Sequence, residues 1–266
     1  MSKIYPNLMK YYQITVYDVA PQVLNMFDDK LAQYAMNTFH REGIRIKTSH
    51  HVEELRRGVP KHLLEQGEAH DDMTCFTLKL TEEGEVGVGM VVWSTGLMMN
   101  PFISGALKEP FRLPKADSNI VKQSGDDKES WQVERNPRSG AVVTNDQLRL
   151  SLHPEGQTTE SGRAILKDVY ALGDCATIEG KNLPATAQVA NQKALWLAQR
   201  FNKKDIETSE FTYKNLGIMA YIGNWNAIMQ SGSADVSGRF AWLIWRGAYL
   251  TKSVSWRNRI LIPVYW

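Results

Sequence analysis

Residues 167–201 read KDVYALGDCATIEGKNLPATAQVANQKALWLAQRF. Val169 to Leu172 predicts a short buried strand that runs into Gly173-Asp174. After a loop, Thr186 or a neighbour opens a helix whose apolar side is Val189, Ala190, Ala194, Leu195 and Leu197. A carboxylate at the carboxyl end of a strand, followed by a free helix N-terminus, is an arrangement that holds a dinucleotide. The glycine loop G-x-G-x-x-G that normally completes it occurs nowhere in the sequence. Gly87-x-Gly89 does not substitute for it, because it precedes its strand and lacks a third glycine.

Working outward, residues 13–17 predict a strand that ends at Asp18. Asp28 caps a helix carrying Leu31, Ala35 and Phe39, and Gly43 stops it in the left-handed region. Ile44 and Ile46 begin a second strand, so the unit is a strand-helix-strand crossover of a parallel sheet. Phe76, Leu78 and Leu80 alternate with polar residues, turn at Glu83-Gly84 and return through Val86 and Val88 as a hairpin. The return strand becomes wholly apolar at Met90 to Trp93 and ends in Ser94-Thr95-Gly96. From about Glu109 to Ser139 lysine, aspartate, serine and proline replace any periodicity, which predicts a surface excursion or linker. Strand-like text resumes at Ala141-Val142-Val143.

Asp18 stands where the acid that receives ribose hydroxyls belongs, about twenty residues after a glycine loop. Counting back passes Met1, so the glycines of this unit would precede the chain. A surface turn acid is the alternative reading of Asp18. The net charge of +2 over 266 residues gives no reason to expect nucleic acid as a partner. Two cysteines, Cys75 and Cys175, far apart in sequence, argue against a disulfide scaffold or a zinc cluster. His50-His51 and His70-Asp71-Asp72 lack metal-ligand spacing, and no metal is expected. Met1-Ser2-Lys3 opens no targeting segment. No apolar run is long enough to span a bilayer.

The C-terminal third is aromatic and basic. At 100° per residue, Trp242, Trp245, Tyr249, Trp256 and Ile260 share one stripe of a helix. Arg239, Arg246 and Arg257 flank it on one side, Lys252 and Arg259 on the other, and no acid follows Asp235. A cationic aromatic stripe of this kind suits a helix lying in the headgroup layer. Leu243, Leu250, Val254 and Leu261 form a second stripe that could pack on protein. A buried helix with snorkelling arginines is the alternative.

Four stretches, ITVYDVAPQVLNMFD (14–28), VVWSTGLMMNPF (91–102), VYALGDCA with PATAQVANQKA (169–176 and 184–194) and LGIMAYIGNWNAI (216–228), carry a resemblance. Their order resembles fungal mitochondrial type II NADH:ubiquinone oxidoreductases, the alternative, rotenone-insensitive enzymes, and the external-facing members most. The resemblance covers roughly residues 11–266. It implies an α/β fold: part of a two-dinucleotide-binding-domain flavoprotein with Rossmann-like parallel sheets, a β-hairpin insertion and a C-terminal amphipathic membrane-binding segment. It divides the chain into the later part of an NADH-binding domain (1–106), a second FAD-domain segment (107–212, with the excursion at 109–139) and a membrane-anchoring domain (213–266).

What the resemblance implies for single residues follows position by position. Asp174, presented by Gly173, receives a hydroxyl of the flavin's ribityl-phosphate arm. Ala187 and Gln188 offer helix-terminal amides to the flavin's pyrimidine edge. Thr95-Gly96 matches the family's Ala-Thr-Gly strand end, with Ser94 in place of the usual alanine, although a plain tight turn is the alternative there. Asp18 selects NADH by accepting the 2′-hydroxyl. Ubiquinone meets the flavin near Gln188, Asn191, Gln192 and Tyr221; some members carry histidine where Asn191 stands, and Tyr221 could equally fill a core. The membrane stripe comprises Trp242, Trp245, Tyr249 and Trp256 with Arg246, Lys252, Arg257 and Arg259. The implied cofactors are FAD and NADH, with the flavin doing the hydride chemistry and no catalytic side chain required. Further implications are peripheral attachment to inner-membrane lipid facing the intermembrane space, and a homodimer formed through the C-terminal domain. Two other readings stand beside this one: a non-catalytic membrane-associated remnant, and another flavoprotein of the fold such as a sulfide:quinone reductase, which needs reactive cysteines.

Overall fold

A computed structural model describes residues 6–67, 75–94, 96, 98–113, 120–122, 130–156, 163–232, 234–253 and 255–265. They form two compact units, one of residues 1–93 with 215–266 and the other of residues 94–214.

The first unit begins with the predicted crossover. Strand β1 (Ile14–Tyr17), helix α1 (Asp29–Arg41) and strand β2 (Ile44–Lys47) follow in order, and Ile14 lies opposite Ile44 in a parallel pair. The Asp28 carboxylate accepts the Lys30 amide at 2.9 Å, satisfying one of the helix's first-turn donors. Gly43 leaves the helix at φ +77, a conformation that costs other residues a Cβ clash. Strand β3 (Val52–Arg57), the short helix α2 (Lys61–Glu65) and the hairpin of β4 (Phe76–Leu80) with β5 (Gly84–Val88) make an antiparallel sheet in the order β3-β4-β5. Beyond β5 the expected strand is not formed. Met90 to Trp93 belong to no strand and no described strand pairs with them, and Met90, Val92 and Trp93 remain exposed. An apolar run becomes a strand only where partners satisfy its amides and carbonyls.

The second unit contains helix α3 (Pro101–Ala106), capped by the Asn100 side chain, and strands β6 (Phe111–Arg112), β7 (Ile120–Lys122), β8 (Ser130–Val133), β9 (Val142–Thr144), β10 (Arg149–Pro154), β11 (Ala164–Tyr170) and β12 (Ala176–Ile178). Helix α4 (Ala187–Lys203) completes it. The sheet order is β12-β9-β10-β11-β7, with β8 pairing β10 and β6. Only β9 and β12 run parallel among these pairs, so the sheet is more mixed than a doubly wound one. The excursion at 109–139 is therefore not structureless. It supplies β6, β7 and β8, and Trp131 and Val133 of β8 join Leu150 and Leu152 of β10 in the core. A second core gathers Leu148, Ile178, Leu197 and Phe211. Arg149, buried, donates to both oxygens of Glu207 at 3.0 and 2.6 Å and ties the segment after α4 to β10.

Two readings of the opening stretch change. The strand is β11, which starts at Ala164 and stops at Tyr170; Val169 is 39% exposed rather than buried. On α4, Val189 and Leu197 are buried as expected, but Leu195 is 55% exposed and Lys193 takes the inward position between them.

The C-terminal segment returns to the first unit as an antiparallel meander, β13 (Ile218–Gly223), β14 (Asn226–Ser231) and β15 (Ala234–Gly238), then helices α5 (Arg239–Lys252) and α6 (Trp256–Tyr265). Leu31 and Ala35 of α1 pack on Ile222 and Ile228 of this sheet. Gly217 precedes β13 at φ +92, and a Cβ there would stand 2.5 Å from the Gln230 carbonyl. Gly217→Ala is expected to destabilise this unit by about 1–3 kcal/mol or more in urea unfolding, from backbone strain with the clash added.

The single helical stripe expected over 239–262 is interrupted. Ser253 is extended, and α6 starts afresh with Ser255 accepting the Asn258 amide at 3.1 Å. Arg259 donates to the carbonyls of Ser253 and Thr251, fixing the break. Trp256 and Ile260 thus belong to a different helix from Trp242, Trp245 and Tyr249. Trp242 lies 4.9 Å from Trp225 and Trp245 stacks 5.2 Å from Tyr221 (ring centroids), so both are half-buried against the sheet. Leu243, expected to pack on protein, is exposed. Leu250 and Leu261 are half-buried, and Val254 lies outside the described residues. No helix among the described residues is long and apolar enough to cross a membrane.

Candidate functional site

The second unit contains an open cavity of roughly 1240 Å³. Two turns of chain from the opening stretch contribute to its walls. Gly173 follows β11 at φ +85, a conformation a side chain would strain, and Asp174 beside it is exposed and lines the cavity. Ala176 returns its amide to the Gly173 carbonyl at 3.2 Å, and the Cys175 thiol donates to the Leu172 carbonyl at 3.3 Å. Opposite, Pro184-Ala185 leads into α4. Thr186 is extended (φ −131, ψ 152) and its side-chain oxygen accepts the Val189 amide, so the helix opens at Ala187 on the cavity wall. Seventeen residues of helix leave about half a positive charge at that end. Strand-end carboxylate and helix N-terminus thus line one cavity, as the opening stretch predicts.

Further along the cavity stand Glu134, Arg135 and Asn136. Arg135 is fixed by the carbonyls of Ile103, Leu107 and Gly140. Burial pushes the Glu134 carboxyl up from its ordinary value, and the Arg163 guanidinium opposes that shift. Lys193 also lines the cavity; burial lowers its ammonium. Neither periodicity nor motif singled out Lys193 or Glu134. Lysine at the fourth position after Val189, in the helix's inward row, is the signal that was there to be read.

The other expected residues fall as follows. Gln188 accepts the Tyr213 hydroxyl at 2.8 Å. Gln192 holds the Lys214 backbone at both ends, donating at 2.8 Å and accepting at 3.0 Å. Asn191 is exposed. Tyr221 belongs to the other unit, as does Asp18. Gly96 is at φ +70, and Thr95 lies outside the described residues, as do His70, Asp71 and Asp72. At the end of β1, one Asp18 oxygen accepts the Ala20 amide at 2.9 Å, while its backbone joins Lys47 and His50. That turn is the alternative reading's geometry, and it leaves the carboxylate half-buried at the carboxyl end of a parallel strand. Cys75 and Cys175 are both free.

Residues 5–112 match the family described as pyridine nucleotide-disulphide oxidoreductase, and residues 215–266 match the NDH2 C-terminal domain. A probable NADH dehydrogenase of Dictyostelium discoideum is 28% identical over all of this chain and 48% of its own length. External NADH-ubiquinone oxidoreductase 2, mitochondrial, of Saccharomyces cerevisiae is 29% identical over 100% of this chain and 46% of its own. The internal alternative NAD(P)H-ubiquinone oxidoreductase A1, mitochondrial, of Arabidopsis thaliana is 29% identical over 93% of the chain and 42% of its own. The structure of NDH2 from Plasmodium falciparum in complex with NADH superposes with a TM-score of 0.65 at 17% identity, covering 97% of this chain and 58% of that one, which shows the fold. The chain spans about half the length of the relatives it matches. The resemblance read from the four stretches to type II NADH:ubiquinone oxidoreductases is borne out by both the family matches and the relatives.

Proposed function

We propose that this chain is a portion of a type II NADH:ubiquinone oxidoreductase, without proton pumping, and that the cavity of the second unit holds the FAD of that enzyme. The observation that carries the reading is that the Gly173–Asp174 strand end and the α4 N-terminus line one cavity. The donor set suits that ligand. Asp174 accepts hydroxyl hydrogen bonds from a polyol arm, and a charge-assisted bond of this kind is about twice a neutral one. The amides at Ala187 and Gln188 lie where the helix field favours negative charge. When bound, the flavin supplies two-electron hydride acceptance from NADH and passes electrons to quinone. The residues here bind and orient; none need exchange a proton.

In the first unit, Asp18 is the acid for the adenosine ribose of NADH, which its charge favours over a 2′-phosphate. In the second unit, Gln188, Asn191 and Gln192 are assigned to quinone and Thr95-Gly96 to the flavin; in the first unit, Tyr221 is assigned to quinone on the resemblance alone. The division at 106/107 and 212/213 follows the same reading. Relatives named as mitochondrial support a mitochondrial location for the whole protein. Attachment of α5 and α6 to inner-membrane lipid on the intermembrane-space side, and dimerisation through the C-terminal segment, are parts of the same proposal.

The chain purified alone is expected to lack a stoichiometric flavin absorption band, since neither glycine loop is in this sequence, yet to bind added FAD weakly and saturably. Asp174→Ala should weaken that binding about 10- to 100-fold, the loss of a charge-assisted bond of about 1.5–3 kcal/mol. Asp18→Ala should leave it unchanged and weaken NADH instead. Quenching of flavin fluorescence measures the first, calorimetry the second. Equal FAD affinity of parent and Asp174→Ala sinks the cavity assignment.

A further inference from the structure

Val189, Lys193 and Leu197 form the inward row of α4, and all three are buried. Such a row ordinarily takes apolar side chains, and a lysine at 2% exposure is costly to hold there. Among the described residues the Lys193 ammonium makes one hydrogen bond, to the Ala176 carbonyl, at 3.4 Å. That is long for a cation carrying three hydrogens. Within the same residues no carboxylate pairs with it; its neighbours are β12, the Cys175 thiol and the cavity it lines. Gly173, Asp174 and Ala187 line the same cavity. A buried cation therefore stands behind the wall on which the α4 N-terminus opens, and the two fields have the same sign.

We propose that Lys193 biases this cavity toward the anionic, two-electron-reduced flavin ring over the neutral, oxidised one. The inference rests on the cavity being the flavin site. A fixed charge in a poorly solvated setting stabilises an anion in inverse proportion to distance and dielectric, and acts on a neutral ring only through its dipoles. The pyrophosphate of FAD is equally charged in both forms. Its attraction to Lys193 cancels when the two affinities are divided, so their ratio reads the ring alone. Lys193 needs no contact with the ring to act in this way.

The test is calorimetric titration of the full chain with FAD, oxidised in one arm and dithionite-reduced under argon in the other. Lys193→Met removes the charge and keeps the length. It should lower the preference for reduced over oxidised FAD about ten-fold, on top of any loss of pyrophosphate attraction, which the two forms share. For a two-electron couple that is a drop of about 30 mV in the bound flavin's midpoint potential. Lys193→Gln, which retains a donor for the Ala176 carbonyl, should show the same fall and decides the matter if the methionine variant folds poorly. An unchanged ratio overturns the proposal. So does a parallel loss of both affinities, which is the mark of a merely structural lysine. If the parent chain binds neither form at millimolar FAD, the flavin reading of the cavity fails, and this inference with it.

Discussion

Serine placed together at Phe240, Leu243, Trp256 and Ile260 is expected to abolish binding of this chain to neutral lipid vesicles, leaving only salt-sensitive attachment to anionic ones. All four side chains are exposed on α5 and α6. Each contributes about 1.5–3 kcal/mol when removed from water, so their joint loss exceeds a hundred-fold in partitioning. The basic residues Arg239, Arg246, Lys252, Arg257 and Arg259 remain in the variant, each adding about 1 kcal/mol near an anionic surface. That part fades as the Debye length shortens from about 10 Å at 0.1 M salt to about 3 Å at 1 M. Trp242 and Trp245 are unsuited to this experiment, because they pack on Trp225 and Tyr221 and their loss would disturb the fold. Vesicle flotation in low and high salt, with circular dichroism as the folding control, gives the measurement. If the variant floats with neutral vesicles as well as the parent does, these side chains face protein and the interfacial reading is wrong.

Trp131→Ala should cost the second unit about 3–5 kcal/mol, enough to consume much of the stability of a unit of this size. Trp131 is 1% exposed at the junction of β8 with β10 and β6, with Val133, Leu150 and Leu152 around it. Little can collapse into the space an indole leaves between paired strands, so the cavity penalty should be near its upper range. Urea unfolding followed by far-ultraviolet circular dichroism should show an earlier transition. A shift below about 1 kcal/mol would mean that the stretch 109–139 does not close this core, against the placement of β8.

The features legible in the sequence share a short range. Asp28 and Gly43 bracket α1 because a cap and a left-handed exit act within one helical turn of themselves. The β4–β5 hairpin, the turn at Gly173 and the start of α4 at Thr186 are equally local. The candidate cavity was legible in part: the Gly173-Asp174 turn and the α4 N-terminus lie within the quoted stretch, whereas Met98 to Asn100 and Glu134 to Ser139 reach it from elsewhere in the chain. Ser255 is a local signal too, a helix-capping serine that accepts the Asn258 amide three residues on, although the aromatic spacing runs through it unbroken.

What the tertiary structure alone decided depends on partners distant in the chain. Trp131 and Val133 lie in polar text, and their strand exists because β10 pairs with it about twenty residues later. Met90 to Trp93 look more like a strand than either and are none, because no described strand is there to take their hydrogen bonds. Lys193 sits on a buried row that periodicity marks as apolar, so its meaning comes from β12 and the cavity beneath it. Periodicity states which side chains can share a face. Which face is covered, and by what, is set by hydrogen-bond and packing partners that arrive from elsewhere in the sequence.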